Sequence, residues 1–100
     1  MSEESLADAE FIALADAFVA LANTRSEEAG GVKVGAAMVY AATRFNAYVV
    51  ASRTRDVEEL KLDRVMALQH FSEQHNAMLA QNLDDYETHY SSLIEQTRQR

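Results

Sequence analysis

Apolar residues recur along this chain with helical spacing, and one stretch is apolar on nearly every side. That stretch runs from Ala36 to Ala51, is rich in alanine, and is interrupted by Arg44 and Asn46. A helix apolar all round must be buried on more than one face. The flanking segments therefore read as its cover.

Before it, Phe11, Leu14, Phe18 and Leu21 recur three and four apart, extended by Ala15 and Ala22. That stripe predicts a first helix from about Leu6 to Arg25, with Ser5 as its N-cap and Ile12 and Val19 on a second, flanking stripe. The segment Ser26-Glu27-Glu28-Ala29-Gly30-Gly31 predicts a break, which the two glycines make mobile. A second helix is expected from about Gly35 to Arg53, with Met38, Ala41, Ala42, Phe45 and Val49 as its main stripe. Its short side chains let neighbouring backbones come close.

The strongest local signal is Asp56-Val57-Glu58-Glu59, where Asp56 can cap and Glu59 can close a capping box. It predicts a third helix from Val57 to about Leu83. Its inward positions read Leu60, Arg64 or Val65, Leu68, Phe71, His75, Met78, Leu79 and Leu83. Beyond Asn82-Leu83-Asp84-Asp85, either Asp84 caps a short fourth helix carrying Tyr86, Tyr90, Leu93 and Ile94, or the third helix continues. Residues 1–5 and 96–100 are expected to fray. The fold class is all-α: one domain over 1–100, an antiparallel three-helix bundle with room for a short fourth helix.

Composition narrows the picture. With no proline and three glycines, the turns of an all-β domain lack material. With no cysteine there is neither a disulfide framework nor a thiolate site. The net charge of -7 argues against nucleic acid and anionic membrane surfaces as partners. Charge is uneven: residues 1–31 carry seven acids and one base, residues 32–55 four bases and no acid, residues 56–100 nine acids and four bases. The central segment is the positive element between two negative ones. Met-Ser-Glu-Glu does not read as a secretory signal, and Arg44 and Asn46 argue against a membrane span. The expectation is a soluble, cytoplasmic protein.

Three blocks carry a resemblance. Leu21-Ala22-Asn23, Tyr40-Ala41-Ala42-Thr43-Arg44-Phe45-Asn46-Ala47, and Phe71-Ser72-Glu73-Gln74 with Met78-Leu79 and Asn82-Leu83-Asp84-Asp85-Tyr86 together resemble a family of small acidic helical proteins of proteobacteria. That family is characterised only as a domain of unknown function. The resemblance spans about Phe11 to Tyr86 and implies a bacterial, cytosolic, α-helical protein, with no activity attached.

The candidate binding or interface residues are Tyr40, Arg44, Asn46, Tyr48 and His75. Tyr40, Arg44 and Tyr48 are spaced i, i+4, i+8, so the guanidinium can stack on either ring. They read as a recognition face or as an aromatic–arginine stack at an interface. Arg44 and Asn46, if buried, need partners. Asp16 or Glu10 could serve Arg44, and Asn23, Gln74, His75 or Asn82 could serve Asn46. They would line a ligand pocket or fix helix register. His75, on the inward stripe, reads as a hydrogen-bonded core histidine. His70 and Glu73 have helical metal-site spacing, yet the Glu-x-x-His pattern of carboxylate-bridged bundles is missing, so no metal or other cofactor is expected. No nucleophile motif or phosphate loop is present, so no catalytic residues and no enzyme activity are expected.

Faces such as Ile12/Val19 and Val39/Val50 exceed what one small bundle covers, which predicts a homodimer. The functional expectation is a non-catalytic helical interaction or adaptor module with an unknown protein partner. The alternative is a small-ligand-binding protein built around Arg44 and Asn46.

Overall fold

The computed structural model describes residues 3–95, with side chains from residue 8 onward. The fold is all-α: helix α1 spans Glu3–Ala29, α2 Gly31–Ser52 and α3 Val57–Thr88, followed by a short π-helical turn, Ser91–Glu95. Among the described residues there is no strand. This element order, three long helices and a short fourth, fits the three-helix class expected from the sequence. Helix α1 begins at Glu3, which corrects two expectations: Ser5 lies inside the helix instead of capping it, and residues 3–5 are helical instead of frayed. The rest of the expected fraying, at 1–2 and 96–100, lies outside the described residues.

The helices run further than their apolar stripes. The expected six-residue break before α2 reduces to Gly30 alone. Its N–H donates to Ser26 O at 2.9 Å, and its carbonyl accepts from Val34 N–H at 3.2 Å. One residue thus ends α1 and starts α2, at a φ of +87° that glycine adopts without penalty. Ser26 stays helical, its hydroxyl donating to Ala22 O at 2.7 Å.

The start of α3 follows its sequence signal. Asp56 is the N-cap, and its Oδ1 accepts from the Glu59 N–H at 2.9 Å. Glu58 and Glu59 in the first turn suit the macrodipole. The Glu59 carboxylate does not close the expected capping box on the Asp56 N–H; it is held by Arg55 instead, Nε to Oε2 at 2.8 Å. At its far end α3 continues through Asn82-Leu83-Asp84-Asp85, because these residues bond back into their own helix. Asn82 Nδ2 donates to Met78 O at 2.9 Å, and Thr88 Oγ1 to Asp84 O at 3.0 Å. His89 closes the helix, its N–H on Asp85 O.

The chain divides into two units, Met1–Val49 and Val50–Arg100. In the first, the half-buried residues are Ala15, Ala22 and Ser26 on α1, and Val34, Asn46 and Val49 on α2. The α1 set lies seven and four residues apart, a single line along the helix made of small side chains. Phe11 and Phe18 border it on one side and Ile12 and Val19 on the other, all exposed. In the second unit, Val50, Ala51, Thr54, Glu59 and Leu60 are half-buried around the α2–α3 corner, and Ala67, Phe71 and Ile94 follow. Thr54 braces the corner, with its N–H at 3.1 Å and its Oγ1 at 2.7 Å from Ala51 O.

None of the described residues is buried. This corrects the expectation that Ala36–Ala51 forms a covered centre. Of the stripe Met38, Ala41, Ala42, Phe45 and Val49, only Val49 is even half-buried. The apolar circumference of α2 still demands cover. No helix among the described residues is long and apolar enough to cross a membrane.

Candidate functional site

The sequence-derived residues Tyr40, Arg44, Asn46 and Tyr48 sit from the middle of α2 onward, in a helix that its alanines favour and that runs to Ser52. Helical spacing sets Tyr40, Arg44 and Tyr48 one above another on one face. That face is open: Tyr40 is 69 % and Tyr48 68 % exposed, and Arg44 is exposed as well.

The expected stack of the guanidinium on a tyrosine ring does not form. Tyr48 instead meets Phe45, at 6.4 Å between ring centroids and 42° between planes. Among the described residues Arg44 has no ion pair, with Asp16 and Glu10 included. The reason is exposure: a solvated guanidinium gains little from a surface carboxylate and loses side-chain entropy in reaching it. Asn46 points to the other side of α2 and is half-buried. The structure therefore separates the two polar residues that the sequence reading joined in one pocket.

His75 is exposed, which corrects its reading as a core histidine. His70 meets the Phe71 ring edge-on at 5.1 Å, and Glu73 Oε1 accepts from Gln69 Nε2 at 3.2 Å. Among the described residues no group of three or more His, Asp or Glu side chains could hold a metal ion.

What the geometry offers is apolar surface. Phe11, Ile12, Leu14, Phe18, Val19 and Leu21 are all exposed on α1, and so are Leu68, Leu79 and Leu83 on α3. The sequence reading singled out the polar interruptions of α2 and missed α3 as a surface. The signal was present in the regular spacing of Leu68, Leu79 and Leu83, which read as inward positions.

A family model described as "Protein of unknown function (DUF3144)" matches residues 11–87. The chain belongs to this family. The DUF3144 match covers almost the span over which the resemblance was read, and it takes in nearly all of α3. No curated protein and no solved structure matches the chain.

Proposed function

We propose that this DUF3144 chain is a helical protein–protein interaction module, without catalysis of its own, that works in the bacterial cytoplasm and assembles first with itself, as a dimer. One observation carries the reading: apolar side chains line all three long helices and remain exposed, with none of the described residues buried. Contiguous exposed apolar surface beyond a few hundred Å2 marks an association site in a stable protein. Amphipathic helices meet partners through residues spaced i, i+3, i+4 and i+7, the spacing these side chains have.

Charge supports the same reading. The only net-positive segment, residues 32–55, lies between two net-negative ones. Segments of opposite sign give an association surface complementary charges to match.

The test is thermal unfolding across a hundredfold range of protein concentration. Folding coupled to association raises the midpoint with concentration. A midpoint independent of concentration contradicts the reading.

A further inference from the structure

Two apolar lines run along α3. Leu60, Ala67 and Phe71 form the first, seven and four residues apart, and all three are half-buried. The second consists of the apolar Val65, Leu68, Leu79, Leu83 and Tyr86 and, in step with them, the small polar Ser72. All six are exposed, the five large side chains by 71, 57, 49, 55 and 47 % in chain order.

The spacing of the second line is 3, 4, 7, 4, 3, the same read from either end. Its midpoint falls between His75 and Asn76. A line with this symmetry is complementary to itself when a second copy is laid against it in the opposite direction. Resting on the interaction reading above, we propose that α3 pairs antiparallel with α3 of a second copy, about a two-fold axis at His75–Asn76.

The pairing forms three layers on each side of the axis. Val65 lies level with the second copy's Tyr86, Leu68 with its Leu83, and Ser72 with its Leu79. Val65 and Ser72 thus each meet a larger side chain, and the layer between them pairs two leucines, which fills the seam evenly. At the centre each His75 faces the other and each Asn76 faces the other. A polar centre of this kind fixes register, because a slipped pairing would set these groups against leucine. The seam from Val65 to Tyr86 is about 32 Å long at 1.5 Å per residue.

Charge selects the direction. In the antiparallel arrangement Lys61 of each copy lies within about 4.5 Å, along the axis, of level with the second copy's Glu87, close enough for the lysine stem to reach. A parallel pairing would instead put Lys61 beside Lys61 and Glu87 beside Glu87. The contact of Lys61 with Glu58 in its own helix, 3.4 Å between exposed side chains, is weak enough to yield.

The chain has no cysteine, so a single introduced one is unique. His75→Cys and Glu58→Cys, each in the full chain, are treated with a short bis-maleimide linker, and circular dichroism checks that each variant stays helical. Pairing about His75–Asn76 predicts that His75→Cys cross-links into a dimer. Glu58→Cys does not, since its two copies lie about 50 Å apart along the seam. In parallel, Lys61→Glu and Glu87→Lys each weaken dimerisation about tenfold, and the double reversal restores it to within about twofold. Cross-linking at both positions overturns the antiparallel direction. A dimer that does not cross-link at His75→Cys, or a double reversal as weak as either single one, overturns α3 as the seam and leaves self-association standing. A chain that is monomeric at every concentration, its α3 line covered within one copy, overturns both.

Discussion

The backbone N–H of Glu59 donates to Asp56 Oδ1 at 2.9 Å, so the longest helix of the chain begins on a side-chain oxygen. Asp56 has the extended backbone of an N-cap, with φ -158° and ψ 175°. Replacing it leaves an early α3 amide without a partner. Asp56→Ala is expected to destabilise the chain by about 1 kcal/mol, and Asp56→Asn by much less. Urea titrations at one protein concentration measure both.

Arg55 adds a second contact at this corner, its Nε 2.8 Å from Glu59 Oε2. The arginine side chain is 90 % exposed, so water and salt screen the pair. Arg55→Ala should cost less than about 1 kcal/mol, and the cost should shrink as salt is added. A larger effect that is indifferent to salt would mean that Arg55 acts through packing.

The glycines differ in what they do. Gly30 has a φ of +87° and nothing within 4 Å of an added Cβ, so its constraint is backbone conformation alone. Gly30→Ala is expected to cost about 1–2 kcal/mol. Gly35 lies inside α2, also with open space around an added Cβ. Gly35→Ala should stabilise the chain by about 0.5–1 kcal/mol. Opposite signs in denaturant unfolding would separate a glycine that turns the chain from one that weakens a helix.

Arg44, in the open Tyr40–Tyr48 face, makes no ion pair among the described residues. Arg44→Ala should therefore change stability by less than about 0.5 kcal/mol. A loss of several kcal/mol would return Arg44 to a buried network.

Helices were legible in this sequence wherever one segment settles its own structure. Asp56 and Glu59 announce the start of α3, because a cap is a contact between near neighbours. Helix ends were less legible. Ser26, Asn82 and Thr88 are residue types that favour turns, yet here each bonds to the carbonyl four residues back and stays helical. The break therefore contracts to Gly30, and α3 extends to Thr88.

Burial was legible only in part: Ala15, Ala22, Val49, Leu60 and Phe71 lie on the expected stripes and are half-buried, while their stripe neighbours are exposed. Periodicity shows that Arg44, Asn46 and His75 interrupt apolar stripes, but covering a stripe takes a partner, and a single helix does not specify one. The residues that are half-buried on α1, Ala15, Ala22 and Ser26, are small and carry little hydrophobic signal. The self-symmetric line on α3 could be read from the sequence. The wide apolar arc of α3 reads from the sequence as one inward face, whereas the structure divides it into a half-covered line and an exposed one.

Mass in solution tests self-association most directly. Light scattering on the purified chain, from low to high micromolar concentration, should give twice the 11.2 kDa chain mass at the upper end, falling toward the single-chain value on dilution. A folded chain that holds its single mass throughout would contradict self-association through these helix faces.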